Sequence, residues 1–142
     1  MMVYILIALL LIVTCGSFVL DDCQPGPPNG NFVLSLKNTL VLPLFFHNVT
    51  LKTTGQCTNV LKYMETACDG DENFKNFSMT YFPKSTSFPG AFFVSAINGV
   101  EGVSGETYWE LIEHSTGKQY DVGATHYFPK AGDQVAWNLT RM

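Results

Sequence analysis

Glu106-Thr107-Tyr108-Trp109-Glu110-Leu111-Ile112 reads as a strand with alternating faces, Tyr108, Glu110 and Ile112 on one side and Trp109 and Leu111 on the other. It is followed by Gly123-Ala124-Thr125-His126-Tyr127-Phe128-Pro129-Lys130-Ala131-Gly132-Asp133, whose Pro-Lys-Ala-Gly-Asp turn leads into Gln134-Val135-Ala136-Trp137-Asn138-Leu139, a second alternating strand. An aromatic strand beside a glycine-bearing loop suits a large, flat, amphipathic ligand. It equally suits the core of a β-sheet, and the two readings stay open on this stretch alone.

Working outward, the N-terminus opens with Val3 to Val13, an uncharged apolar run of eleven residues. A membrane span needs roughly 20 residues, so the run fits the apolar region of a secretory signal better. Thr14, Cys15, Gly16 and Ser17 supply small residues for cleavage, which places a signal peptide over 1–17. Met-Met-Val-Tyr lacks the usual positive charge, and an uncleaved anchor is the alternative. No later apolar run is long enough to span a bilayer, so the expectation is an extracellular, secreted protein with no membrane span after cleavage. Three Asn-x-Ser/Thr sequons, at Asn48, Asn76 and Asn138, agree with the secretory route and are candidate glycosylation sites.

Beyond the signal lie Cys23, Cys57 and Cys68. Cys57 and Cys68 flank an expected helix in which eleven residues span ~16 Å, whereas bridged Cα atoms lie ~4.4–6.8 Å apart. The preferred pairing joins Cys23 to one of the other two and leaves the third free or intermolecular. The absence of any Cys-x-x-Cys or Cys/His cluster argues against a metal site. The net charge of −4 is scattered, which offers nothing to nucleic acid or to an anionic membrane surface.

The segment 18–31 is a polar, Pro/Gly-rich arm, and 32–142 is the folded domain. Within it, strands are expected at Phe32–Leu36, Leu44–Leu51, Asn76–Phe82, Gly90–Ile97, Tyr108–Glu113 and Gln134–Leu139. Val60, Leu61, Met64 and Ala67 recur at helical spacing, with Lys62 and Glu65 opposite and Thr58 or Thr54 as cap. Asn98-Gly99 is a turn signal, with Val100 to Gly105 extending the connection beyond a tight two-residue hairpin. The fold class is α+β: a sheet-dominated single domain with about six antiparallel strands and one helix near its start.

Catalytic machinery is not visible. His47, His114 and His126 sit in dissimilar contexts that match no nucleophile arrangement, and Glu110 and Glu113 fall on opposite strand faces. Asp69, Asp71 and Glu72 begin like a calcium loop but lack its later oxygen ligands. The expectation is a binding protein rather than an enzyme, with no catalytic cofactor.

Thr54-Gly55-Gln56-Cys57-Thr58-Asn59-Val60-Leu61-Lys62 resembles the turn into the helix of the C-terminal β-domain of the transcobalamin, intrinsic factor and haptocorrin family. Ser95-Ala96-Ile97-Asn98-Gly99-Val100 is similar to its strand and turn before the ligand strand. Tyr108-Trp109-Glu110-Leu111 resembles its aromatic-Trp-Gln-aliphatic strand, and Gly123 to Asp133 its Gly-x-x-x-Tyr-x-Pro loop. The four elements occur in the family's order across 32–142. The resemblance implies cobalamin, or a related corrinoid, as ligand and partner. By position it implies that Trp109, Glu110, Leu111 and Gly123 lie at the ligand, with Phe92, Phe93 and Val94 lining it. The family's helical barrel, its other wall, has no counterpart in these 142 residues. The expected site is therefore open on one side unless a second protein chain closes it. Glu110 stands where the family often has Gln, and a carboxylate accepts hydrogen bonds but cannot donate them. His126 falls in the ligand-side loop, where an imidazole could approach cobalt. The alternative is an extracellular interaction module that keeps this fold and has lost the ligand.

Overall fold

A computed structural model describes residues 30–87, 90–120 and 123–142. The signal at 1–17, nearly all of the 18–31 arm and Cys23 lie outside the described residues.

Strand β1 (Asn31–Asn38) alternates as its sequence demands, with Phe32, Leu34 and Leu36 at most 1% exposed. It pairs antiparallel with β2 (Phe45–Lys52), Leu34 opposite Val49 and Leu36 opposite His47, so the inward residues of the two strands share one face. Helix α1 (Val60–Gly70) packs on that face and buries Val60, Leu61, Tyr63, Met64 and Ala67, which includes the whole expected stripe. Its cap is Asn59, whose side chain accepts from the Lys62 backbone N–H, rather than Thr58 or Thr54. Phe32 meets Tyr63 edge-on at 4.8 Å between ring centres, and the Trp137 indole N–H points at the Met64 sulfur, 3.2 Å away.

Five more strands follow: β3 (Phe77–Phe82), β4 (Ala91–Ile97), β5 (Val100–Glu101), β6 (Thr107–Glu113) and β7 (Gln134–Arg141). They build two sheets, one ordered β2-β1-β7-β6 and one β3-β4-β5. The described strands thus number seven rather than about six, and they are not all antiparallel, since β1 and β7 run parallel with Leu34 opposite Val135. Short connections force neighbours in sequence to run antiparallel, but the first and last strands are joined by the rest of the domain and can align either way.

The extra strand is the two-residue β5. Ile97 pairs directly with Val100, and Asn98 and Gly99 between them take φ values of 51° and 79°, the doubly left-handed geometry of a tight hairpin turn. The expectation of a longer connection there was incorrect, because β5 is too short to leave a period in the sequence. Asn98 does more than turn the chain. Its amide donates to the Asn73 carbonyl and accepts from the Lys75 N–H, both at 2.8 Å, which fixes the approach to β3.

Cys68 is a free, partly buried thiol, so Cys57 and Cys68 are not bonded to each other, and Cys57 is disulfide-bonded. Among the described residues no helix is long and apolar enough to cross a membrane.

Candidate functional site

The residues that alternate along β6 do so as expected, and the structure shows which face is inward. Trp109 and Leu111 are buried, each 5% exposed. The Trp109 indole N–H donates to the Val100 carbonyl at 2.9 Å, and its ring stacks on Phe45 at 6.2 Å. Val94 is also buried. Glu110 projects from the other face of the sheet, half-buried, where it accepts from Asn138 Nδ2 at 3.1 Å and from the Tyr108 hydroxyl at 3.4 Å. Burial first, and then Glu110, raise the Tyr108 pKa. Gly123 is exposed and starts the short 3-10 turn Ala124–His126, which also leaves His126 exposed. The seven candidate ligand residues therefore do not converge on one surface.

Phe92 and Phe93 do reach solvent, and they are joined there by two residues of β3. Tyr81 lies opposite Phe92 in register, with their rings 4.9 Å apart. Phe82 lies diagonal to Phe93, with rings 5.0 Å apart and nearly perpendicular. The four rings are 41% to 54% exposed. Successive strand residues point to opposite sides, so each face of the β3–β4 hairpin carries one aromatic pair. Two aromatic pairs left in solvent, one on each face, make this end of the hairpin a candidate contact surface.

Local contacts hold this end of the hairpin in place. Ala91, Val94, Ala96 and Ile97 bury the inner part of β4. The Phe92 backbone N–H donates to Thr125 Oγ1 at 3.0 Å, which ties the strand to the 3-10 turn. Gly90 enters β4 at φ 83°, where a Cβ would sit 3.0 Å from the Tyr81 hydroxyl. The loop after the turn is equally fixed: the Tyr127 hydroxyl donates to Asp133 Oδ2 at 2.7 Å, and the same oxygen accepts from the Lys130 N–H. Burial, reinforced by the Asp133 bond, drives the Tyr127 pKa far upward.

The sequence reading took Asn76–Phe82 as a strand but did not single out Tyr81 or Phe82. The missed signal is that Phe77 to Phe82 carries no charge and yet forms a sheet edge, with β4 as its one strand partner among the described residues. A cleft of about 290 Å3 lies elsewhere, between the Val41–Pro43 loop and the Asn98-Gly99 turn. Asn38, fully buried, pins that loop by donating to the Val41 and Pro43 carbonyls. The cleft is at the small end of the usual range for drug-sized ligands, roughly 300–1,000 Å3. Among the described residues no three His, Cys, Asp or Glu side chains gather to hold a metal ion.

The fold is shared with solved structures. Haptocorrin in complex with Cbi superposes with a TM-score of 0.54 at 22% identity, covering 78% of this chain and 25% of that one. The chain thus spans about a quarter of the haptocorrin it matches. A protein from Ruminococcus gnavus ATCC 29149, for which metal binding is suggested, superposes with a TM-score of 0.55 at 11% identity over 80% of this chain and 99% of its own. No curated protein matches the chain in sequence. A family model described as a domain of unknown function, DUF4430, matches residues 58–141. That match runs from just before α1 to the end of β7, more than half of the chain, and the protein belongs to the DUF4430 family.

Proposed function

We propose that the protein is a secreted corrinoid-binding domain that takes its ligand on the aromatic end of the β3–β4 hairpin. The observation that carries this reading is an aromatic pair on each face of the hairpin, Tyr81 with Phe92 and Phe82 with Phe93, either of which offers a flat ligand a platform in solvent on an uncharged strand pair. A corrin presents apolar faces ringed by amide groups. It gains from aromatic contact over its plane and from a few polar partners at its edge. The likeness to haptocorrin, solved with a corrinoid bound, supports this ligand class. The apolar signal run and the sequons support secretion, and a binding role rather than an enzymatic one fits a surface built of rings.

The reading moves the ligand contact from Trp109 and Leu111 to Phe92 and Phe93 with their β3 partners. A single hairpin covers one side of a flat ligand only. Affinity is accordingly weaker than in a site that buries 70–90% or more of its ligand. A second reading, a protein-interaction module, is favoured by the outer edge of β3, which has no strand partner among the described residues and could pair with another strand.

Calorimetric titration of the purified secreted chain with cobinamide separates the two. Saturable heat, accompanied by a shift in the visible corrin spectrum and abolished in a Tyr81→Ala, Phe92→Ala, Phe82→Ala, Phe93→Ala variant that keeps its circular dichroism, is the expected result. No heat and no shift at high micromolar cobinamide, with the protein folded, would leave the interaction module as the better account.

A further inference from the structure

The three sequons look alike in sequence but occupy different environments, and we infer that Asn48 and Asn76 carry N-linked glycans while Asn138 does not. The inference rests on the secretory reading above, because only a chain that enters the secretory route meets the glycosylating enzyme.

N-glycosylation substitutes the amide nitrogen Nδ2 and leaves the amide oxygen as an acceptor. Asn48 suits that chemistry. It is exposed on β2, an edge strand, with Thr50 of its sequon exposed on the same face. Its side-chain bond among the described residues uses Oδ1, which accepts from Ser35 Oγ at 2.6 Å, so a sugar on Nδ2 leaves that bond intact. Asn76 is exposed immediately before β3, held through its backbone carbonyl by the Asn98 N–H at 2.8 Å, and Ser78 is exposed two residues on.

Asn138 is placed differently. It lies half-buried on β7, a central strand between β1 and β6. Its register neighbours are Lys37 on one side and Glu110 on the other, and Phe46 lies opposite Lys37, so one row of side chains crosses the whole sheet. Its Nδ2, the atom that would bear the sugar, donates to Glu110 Oε1 at 3.1 Å. A glycan there would displace the bond to Glu110 and would have to emerge between half-buried neighbours in the middle of the sheet.

The arrangement also leaves the aromatic end of the hairpin uncovered. Asn76 precedes the first residue of β3, and Tyr81 and Phe82 close the strand five and six residues later, roughly 15–20 Å away at the rise of an extended chain.

The full chain is expressed in a eukaryotic secretory cell, and glycan occupancy is read by peptide mass spectrometry of the medium, before and after enzymatic deglycosylation. Asn48→Gln and Asn76→Gln are each expected to remove one glycan-sized step in mobility, and Asn138→Gln none. A secreted chain with Asn138 occupied, or with Asn48 or Asn76 bare, overturns the assignment. Retention of unmodified full-length chain in the cytosol overturns the secretory reading, and the assignment falls with it.

Discussion

The indole N–H of Trp109 donates to the carbonyl of Val100 across 2.9 Å, and so binds β6 of the four-stranded sheet to β5 of the three-stranded one. The bond is buried, and Phe45 closes over the ring. Trp109 therefore stabilises the joint between the sheets. Trp109→Ala is expected to cost about 3–5 kcal/mol, the usual range for truncating a buried aromatic. Trp109→Phe keeps most of the volume but strands the Val100 carbonyl, for about 1–3 kcal/mol. Urea denaturation measures both. Loss of cobinamide binding in a Trp109→Phe protein of undiminished stability would return this residue to the ligand surface.

The two aromatic pairs lie on opposite faces of the hairpin, and one flat ligand can cover only one of them. Tyr81→Ala with Phe92→Ala, and Phe82→Ala with Phe93→Ala, should therefore differ, one double variant losing most of the affinity and the other little. Each ring is about half exposed, so stability should change by no more than about 1 kcal/mol per substitution. Equal losses from both pairs would mean that the hairpin acts by its shape or by insertion rather than by one stacked face.

Asn98 combines a left-handed backbone with two side-chain bonds, so substitutions there can be separated. Asn98→Gly keeps the turn and loses the bonds to Asn73 and Lys75, whereas Asn98→Ala loses the bonds and also strains φ. Alanine should be the more destabilising by about 1 kcal/mol, consistent with the cost of a left-handed non-glycine residue. Thermal melts of the two variants test the order.

What could be read from the chain divides along physical lines. Periodicity is local, so the α1 stripe and the alternation of Tyr108 to Ile112 were legible. Which face of β6 turns inward depends on Phe45, distant in sequence, and on Val100 across an irregular connection, and the aromatic character of Trp109 fits a ligand as well as a core. The parallel pairing of Leu34 with Val135 joins the two ends of the domain and leaves no local trace. Phe77 to Phe82 reads like an interior strand because it lacks the charges that usually protect an edge.

The Tyr127–Asp133 bond makes an alkaline prediction. The folded state holds the Tyr127 proton more tightly than the unfolded chain, whose tyrosines titrate near pH 10. Its contribution is complete below that pH. Above it, the unfolded state loses the proton first, so stability falls as pH rises. Tyr120, its ring tilted against Tyr127 at 4.7 Å and also shifted upward by burial, acts in the same direction. Tyr127→Phe should lower stability at neutral pH by about 1–3 kcal/mol, the range for a bond to a charged group and the cost of a stranded partner. It should also flatten the decline above pH 10. Equal alkaline slopes in the two proteins would remove Tyr127 as the cause.

The uncharged β3 edge of six residues invites pairing with another strand, and its built-in defence is the irregularity between Ser78 and Met79. A glycan on Asn76 would stand at the start of this edge and hinder the approach of a second chain. Asn76→Gln should therefore self-associate more as concentration rises, seen as a growing sedimentation coefficient where the glycosylated protein stays constant. Adding Thr80→Lys to that variant places a charge on the exposed edge and should restore the monomer. If Asn76→Gln sediments like the glycosylated chain over the same concentrations, the bulge alone protects the edge.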